Sequence, residues 1–436
     1  MTTATNPYES PQVSEGLDPS HMPPNDLRYY GFGASNVLLG ALAMLGTLPG
    51  RTHGLGLITE YLLTDMQLDR NTFSLINLVA TLIGGLACFP AGALVDRLGT
   101  RWSLALVSAA LGATCFLMAG VYGVVSLFVL VTLTRALGQS ALSVVSMAVV
   151  GKWFKRHVGV AMSVYSVLVS LFFMAGFVLV GMAVLEWSWR TAWAIIGMAL
   201  MFGLAPLAAL AVRSRPESLH AETDELAADA ASLGGFSFAE ALRTPAFWVF
   251  ALAASFYGLV SSGMGLWNQG ILAEHKFDAT AYHNLLGFST LMSLAGQLLA
   301  GVLGWRVPMG RLLAGAMFLY AAALLWLTQI ESFFALQLYA VMMGIAGGMV
   351  MVLFFAIWPQ AFGRASLGRI QGAAQMLTVV ASAVGPLLFS SCHEVTGSYS
   401  PALYAIVPIV VLLGVAAWVV RTPHRVEPAR PPAAAL

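Results

Sequence analysis

Long apolar stretches recur along almost the whole chain, and they constrain its fold more than any other feature. A helix needs roughly 20 apolar residues to cross the hydrocarbon core of a bilayer, so 436 residues leave room for about a dozen crossings. Hydrophobic residues make up 58% of the chain and charged residues only 9%, far outside the range of soluble globular domains. The sequence therefore predicts an all-α membrane protein in contact with the lipid bilayer.

Twelve transmembrane helices can be placed on these stretches. We expect them at 30–58, 72–94, 103–122, 125–149, 160–184, 190–212, 246–272, 284–304, 311–330, 333–357, 370–391 and 401–420. The polar segment 213–245 divides them into two six-helix bundles, 30–212 and 246–421, and we interpret this segment as a cytoplasmic linker. Residues 1–29 and 422–436 are predicted to be cytoplasmic tails, the first of them disordered because it is rich in proline and polar residues.

The distribution of basic residues predicts the orientation. Cytoplasmic loops of membrane proteins are enriched in lysine and arginine. Of the 21 such residues, sixteen fall on the side of the linker, three (Arg70, Arg190 and Lys276) fall on the other side, and Arg51 and Arg135 lie inside crossings. Both termini are therefore predicted to be cytoplasmic. We expect a multi-pass protein of the cell membrane, either inner or plasma membrane.

Several classes of function are disfavoured by the sequence. A net charge of +1 does not suggest a nucleic-acid partner. The chain contains no H-E-x-x-H, G-x-S-x-G or P-loop motif, so we predict that it is not an enzyme and that it has no cofactor and no metal site. A non-transporting membrane sensor stays open as an alternative. We expect a monomer.

The loop after the second crossing carries the most specific motif. It contains Gly92, Asp96, Arg97, Gly99 and Arg101 in the pattern G-x-x-x-D-R-x-G-x-R. This pattern resembles the signature of the major facilitator superfamily between its second and third helices. The resemblance implies the two-bundle major facilitator fold, transport by alternating access, and a conformational gate in which the aspartate and the basic residues form a cytoplasmic latch. At the matching place in the second half, Trp305 stands where the acid would be.

Two arginines lie inside predicted crossings. An ionised arginine in hydrocarbon is costly, so it is expected to face a wet cavity or a partner. Arg135 shares a helix stripe with Gln139, and the segment around it resembles an arginine-and-glycine motif of the superfamily. An arginine that only ties helices together is the alternative. Arg51 lies among glycines late in the first crossing and is our leading ligand contact, with His53 beside it; a solvated loop at the rim is the alternative.

Further polar residues lie on helix faces that we expect to line a substrate cavity. Serine and threonine commonly join membrane helices, whereas larger amides are costlier to bury and therefore more informative. The predicted substrate-binding residues are Arg51, His53, Asn77, Arg135, Tyr257, Asn268, Gln297 and Gln375.

The arginines also suggest the class of solute. A guanidinium group binds a carboxylate through two parallel hydrogen bonds, and no acidic residue is placed at the midplane, so we expect an organic anion. Three passages of the sequence resemble the corresponding parts of monocarboxylate and oxalate–formate type porters, some of which co-transport a proton. These passages are Arg51, residues 152–161 and residues 372–399. Those porters use an acid and an arginine in the eighth helix, where this chain has Ser289, Ser293 and Gln297. Uniport, anion exchange and carriage of a neutral sugar, nucleoside or amino acid stay open.

Overall fold

The computed structural model describes residues 27–154, 158–213, 235–363 and 366–422, and these residues are almost entirely helical. Within them, eleven helices are long and apolar enough to cross a bilayer. The prediction of an all-α membrane protein is confirmed. Both predicted tails, apart from the residues next to the bundles, and residues 214–234 of the predicted linker lie outside the described residues.

The described residues of the first half form ten α-helices. They are α1 Leu27–Gly46, α2 Thr52–Gly56, α3 Thr59–Met66, α4 Arg70–Gly85, α5 Cys88–Ala119, α6 Val124–Thr134, α7 Ser143–Trp153, α8 Val158–Glu186, α9 Trp189–Met198 and α10 Ala205–Ala211. π-Helical turns at Arg135–Leu142 and Ala199–Leu204 join α6 to α7 and α9 to α10. Each of these pairs therefore forms one continuous helix that is long enough to cross the membrane.

The second half of the chain has longer and more regular helices. They are α11 Phe238–Leu242, α12 Pro245–Glu274, α13 Ala279–Leu303, α14 Met309–Leu327, α15 Phe333–Phe362, α16 Leu367–Thr396 and α17 Ser400–Val419. Three of them are capped at their N-terminal ends by Thr244, Asp278 and Ser332. Each of these side chains accepts a hydrogen bond from a backbone N–H of the first turn. Such caps satisfy donors that a helix start leaves without partners.

The second predicted crossing is broken. Helix α4 ends at Gly85, and α5 begins at Cys88 and continues to Ala119 through Gly99, whose φ of 74° turns the backbone. The Gly84–Gly85 pair has low helix propensity, and Pro90 has no N–H to donate to the helical hydrogen-bond pattern. One helix therefore ends at the glycines, and the next begins before the proline. The predicted count of twelve crossings treats α4 and the first part of α5 as one crossing, and the structure is consistent with it.

The first crossing is also interrupted, on the side away from the linker. Helix α1 ends at Gly46, a 3₁₀ turn covers Leu48–Gly50, and α2 begins at Thr52. Pro49 within this turn has no N–H to donate, which disfavours continuation of the α-helix. Residues 47–50 are buried, so this segment is not a solvated rim loop. The residues directly after this break are Arg51, Thr52 and His53, and the break determines their position.

The two halves meet closely at one end of the molecule, here called the opposite end because it lies away from residues 213 and 235. An added Cβ on Gly56 of α2 would lie 2.1 Å from the carbonyl oxygen of Gly265 on α12, so the two backbones are in contact. Ser74 Oγ donates to the Pro386 carbonyl over 3.2 Å, and the Arg70 guanidinium carbon lies 5.7 Å from the Trp267 ring centroid. The opposite end is closed.

The end that carries residues 213 and 235, here called the linker end, has a cleft between the halves. The cleft has a volume of about 960 Å³ and lies between α8 and α13. Met162 and Val167 line one wall, and Leu298 and Trp305 line the other. The molecule is therefore open at the linker end and closed at the opposite end.

We predict that Gly56→Ala opens the opposite end. Because the new methyl group would overlap a backbone carbonyl, α2 has to move away from α12. The measurement is the distance between spin labels at Thr64 and Val395, both exposed and on different halves, in a variant with Cys88 and Cys392 replaced by serine. We expect the distance to lengthen. Gly315→Ala is the matched control, since its new Cβ meets nothing within 4 Å. Equal distances in both variants would contradict the prediction.

Candidate functional site

Arg135 is the central polar residue of the first half. It is only 1% exposed and lies where α6 passes into the π-helical turn. Its Nη1 donates to the Gly50 carbonyl (2.8 Å), Gln139 Oε1 (2.9 Å) and Thr52 Oγ1 (3.1 Å), and its Nη2 donates to Asn77 Oδ1. At this π turn the Arg135 side chain contacts acceptors on the first, second and fourth crossings. π-Helical turns are frequent at functional sites.

Arg51 lies on the same break of the first crossing and reaches in another direction. Its Nε donates to Thr47 Oγ1 (2.7 Å), and its Nη2 contacts Met44 Sδ (2.9 Å) and Ser143 Oγ (3.2 Å). The guanidinium carbon also lies 5.3 Å from the Phe173 ring centroid on α8, within the range of a cation–π interaction. Arg51 is half-buried, unlike Arg135, and so stays within reach of a solute.

The partners of both arginines are uncharged. In the described part of the chain neither guanidinium forms an ion pair with a carboxylate, and the acidic residues that do pair, such as Glu60 with Arg70 (2.8 Å), lie at the opposite end. Arg135 also keeps a buried Nε–H without an acceptor, and Asn77 keeps a buried Nδ2 without one. The interior of the first half therefore offers two positive charges and unused donors.

A cavity of about 170 Å³ lies next to this region, mostly inside the second half. His53 reaches it from the first crossing, and Phe177 reaches it from α8. Tyr257, Ser261, Gly265 and Asn268 follow one another at helical spacing along α12 and form one wall; Ser289, Ser293, Tyr339 and Gly344 lie on the other walls. None of the lining side chains is an acid, a lysine or an arginine.

Thr52 and His53 connect the arginines to this cavity. Thr52 Oγ1 accepts from Arg135 and also lies 3.5 Å from Ser262 Oγ on α12. His53 packs against Gly265 of α12 and directly follows Arg51 and Thr52 in the sequence. The structure thus brings together five of the predicted contacts, Arg51, His53, Asn77, Arg135 and Asn268, around the break of the first crossing.

Of the three other predicted contacts, only Tyr257 lies at this centre. Tyr257 lines the cavity and packs against Tyr320, with ring centroids 5.0 Å apart. Gln297 lies at the linker-end cleft, where its Oε1 accepts from Ser166 Oγ of the other half over 2.8 Å. Gln375 on α16 is exposed. Gln297 and Gln375 do not line the 170 Å³ cavity.

The predicted gate lies at the linker end. Gly99 forms the turn of this motif with its positive φ, and Arg97 is exposed. The Arg101 guanidinium carbon lies 5.2 Å from the Trp102 ring centroid. The side chain of Asp96 is outside the described part, and among the described side chains neither Arg97 nor Arg101 pairs with an acid. Gly92 is half-buried with open space beside it.

Several residues of the site were not singled out from the sequence. Thr52, Phe173, Phe177, Ser261 and Tyr339 are neutral residues in apolar helices, where similar residues are common. Phe173 and Phe177 are one turn apart on α8, with ring centroids separated by 5.7 Å, between Arg51 and His53. The spacing of these two aromatic residues was the only available signal, and it does not distinguish a cavity wall from ordinary packing.

Solved structures with the same fold are similar to this chain over most of its length. The nucleoside transporter NupG, as a D323A mutant, matches with a TM-score of 0.71 at 14% identity, covering 88% of this chain and 99% of that one. A bacterial homologue of the human lysosomal transporter Spinster, inward-facing and unoccupied, matches with a TM-score of 0.64 at 14% identity, covering 89% and 94%. No curated protein matches the sequence closely.

The sequence also matches a family pattern directly. Residues 39–271 and 256–435 each match the pattern of the Major Facilitator Superfamily, so the two matches together cover most of the chain. The first match covers most of the first half and continues into α12, the second covers most of the second half, and the structural neighbours are transporters of the same fold. The chain belongs to the Major Facilitator Superfamily, a family of multi-pass membrane transporters and not of enzymes.

Proposed function

We propose that this protein carries a small organic anion, such as a monocarboxylate, across the cell membrane by alternating access. The observation that carries the proposal is the pair Arg51 and Arg135, two guanidinium groups in the membrane-embedded core whose described partners are all uncharged. A buried charge is stabilised by pairing, and a carboxylate is the partner that a guanidinium group binds best. A solute that supplies this carboxylate is bound more tightly than its neutral analogue.

The two arginines have different roles in this proposal. Both Nη atoms of Arg135 donate to protein acceptors, which lie on the first, second and fourth crossings, so Arg135 organises the site and contributes positive potential. Arg51 is half-buried and bound to two hydroxyl groups and a thioether, which are weaker partners than a carboxylate. A solute can displace these partners, and Arg51 is therefore the direct anion contact.

The difference between the two ends supports the proposal of alternating access. The opposite end is closed by direct contacts such as that of Gly56 with Gly265, and the linker end has a wide cleft. By the positive-inside rule the linker end is cytoplasmic, so this conformation faces the cytoplasm. When the halves rock the other way, the loop from Gly92 to Arg101 closes the cytoplasmic side. Small residues at the contacts allow such movement without large cavities.

Coupling to a proton requires a titratable group that is accessible first from one side of the membrane and then from the other. Glu60 pairs with Arg70 at the opposite end, while His53 lines the cavity itself. A symported proton would therefore move on His53 or on the carboxylic acid of the solute. If neither takes it, the protein is a uniporter or an anion exchanger.

One observation favours a second candidate, a neutral solute such as a nucleoside. The 170 Å³ cavity is lined by hydroxyl, amide, imidazole and aromatic groups and by no charged side chain. NupG, which has the same fold, is a nucleoside transporter. In this alternative both arginines stabilise the helix packing only, and the solute binds to α12 and α13.

Arg51→Ala is predicted to abolish the response to carboxylates. A ligand that binds only the folded state stabilises it by about 2.7 kcal/mol at a hundredfold excess over its Kd. We therefore expect carboxylates to raise the melting temperature of the native protein in detergent and to lose this effect in Arg51→Ala. Arg51→Lys should keep part of it, because an ammonium group keeps the charge but not the paired geometry. Stabilisation by neutral solutes alone, equal in all three proteins, would favour the second candidate.

Arg135→Ala is predicted to lower the melting temperature even without a ligand. The substitution leaves the Gly50 carbonyl and the Asn77 and Gln139 amide oxygens without their donor, and a buried acceptor without a partner costs about 1–3 kcal/mol. Arg51→Ala, measured beside it, should melt closer to the native protein. The reverse order of melting temperatures would contradict the assigned roles.

A further inference from the structure

The cleft of about 960 Å³ at the linker end has mainly apolar walls. Its α13 wall carries Leu298, Val302 and Trp305, which are 59%, 70% and 92% exposed, respectively. Met162 and Val167 belong to the α8 wall. Apolar walls hold water poorly, and exposed apolar patches of this kind mark contacts with other molecules or with a membrane.

The cleft adjoins the lipid-facing surface of the molecule. Helices α8 and α13 are both long and apolar enough to cross the membrane. Val164 on α8 and Leu299 on α13 are exposed beside residues that line the cleft. By the positive-inside rule the linker end is cytoplasmic, so the hydrocarbon next to the cleft belongs to the cytoplasmic leaflet.

The mouth of the cleft carries a positive charge. Arg306 lies just beyond the end of α13, lines the cleft and is exposed, and among the described side chains it forms no ion pair with an acid. The preceding Trp305 stands where the first half has Asp96. Tryptophan is enriched at the membrane–water interface, and arginine extends its charge to the headgroup level. The second half thus replaces an acid of the proposed gate with a residue pair typical of a membrane interface.

We infer that the cleft is a binding site for an anionic phospholipid of the cytoplasmic leaflet, with one acyl chain between α8 and α13 and the headgroup phosphate at Arg306. Its volume of about 960 Å³ lies at the upper end of the roughly 300–1,000 Å³ of pockets for drug-sized ligands, so an acyl chain has room. The chain removes apolar wall from water, and the guanidinium group binds the phosphate through charge-assisted hydrogen bonds. The lipid is a partner and not the transported solute.

A lipid in this place acts on the conformation of the protein. Further from the linker end the same two helices touch, since an added Cβ on Gly181 of α8 would lie 2.4 Å from Cγ of His283 on α13. The cleft is therefore the space where these helices, one from each half, diverge. Closing the linker end removes this space, so the lipid stabilises the cytoplasm-facing conformation. This effect rests on the proposed alternating access, whereas the lipid site itself does not depend on the solute.

Binding is tested on the purified protein in a neutral detergent with three probes. Dioleoylphosphatidylglycerol is anionic, dioleoylphosphatidylcholine has the same chains without net charge, and inorganic phosphate has the charge without a chain. Melting temperatures at increasing probe concentration give apparent Kd values. We expect the anionic lipid to bind about fivefold more tightly than the neutral lipid, the effect of one arginine at an anionic surface, and phosphate to give no stabilisation.

Arg306→Gln removes the charge at the mouth and keeps most of the side chain. We expect this variant to bind the anionic lipid only as tightly as the neutral one. Arg311→Gln is the matched control, because Arg311 is an exposed arginine at the same end that lies beside Trp418 and does not line the cleft. The control should keep the preference for the anionic lipid.

Gly301→Leu fills the cleft itself. Gly301 lines the cleft, and an added Cβ there meets nothing within 4 Å, so a side chain fits without displacing the protein. We expect both lipids to bind about tenfold more weakly. Gly315→Leu is the matched control, since its Cβ also meets nothing within 4 Å but Gly315 does not line the cleft. It should bind both lipids as the native protein does.

The conformational effect is measured in lipid nanodiscs with spin labels at Thr64 and Val395, with Cys88 and Cys392 replaced by serine. We expect the population with the short distance, in which the opposite end is closed, to grow when phosphatidylglycerol replaces part of the phosphatidylcholine. Arg306→Gln should not show this shift. Equal populations in both lipids would overturn the conformational role.

The other outcomes are equally distinct. Equal binding of the two lipids, or a preference that survives in Arg306→Gln, would overturn the placement of the headgroup. Unchanged lipid binding in Gly301→Leu would overturn the site in the cleft and indicate general contact of lipids around the protein. Failure of the proposed anion transport would show instead as native protein that carboxylates do not stabilise, whatever the lipid does.

Discussion

The buried guanidinium group of Arg135 is the interaction on which the rest of the site depends. It joins the first, second and fourth crossings through acceptors that are all neutral, and one of them, the Gly50 carbonyl, is available only because the first crossing breaks there. In a continuous helix that carbonyl would be bonded within the helix. The break and the arginine therefore require each other, and together they hold Arg51, Thr52 and His53 at the boundary between the two halves.

The two halves contribute differently to this boundary. The first half provides positive charge and the hydrogen-bond donors of its arginines, whereas the second half provides most of a neutral cavity whose walls carry hydroxyl, amide and aromatic groups. In the proposed mechanism, a solute held between them bonds to both. This division suits a carrier that moves one half against the other, because the energy of binding then depends on the relative position of the halves and can shift the equilibrium between the two conformations.

Much of the fold and part of the site could be predicted from the sequence, for physical reasons. The cost of placing charge in hydrocarbon made Arg51 and Arg135 recognisable, and the apolar lengths gave most of the helices. The break between α4 and α5 was missed because the residues around it stay apolar. Thr52 and Tyr339 were missed because the role of a neutral side chain depends on which helices, distant in sequence, pack against it. The hydrogen bond from Arg135 to a backbone carbonyl could not be predicted either, because every residue has such a carbonyl.

The uncompensated charge of the two arginines has a consequence for energetics at the scale of the membrane. In the proposed mechanism, the empty carrier holds two positive charges in its core, because the described partners of both arginines are neutral, and a bound monovalent anion leaves one. A membrane potential acts on each elementary charge with about 2.3 kcal/mol per 100 mV across the full bilayer. An anion carrier of this kind would respond to voltage by different amounts in its loaded and empty forms, so that the electric field of the cell, together with the solute gradient, would set the direction of net transport.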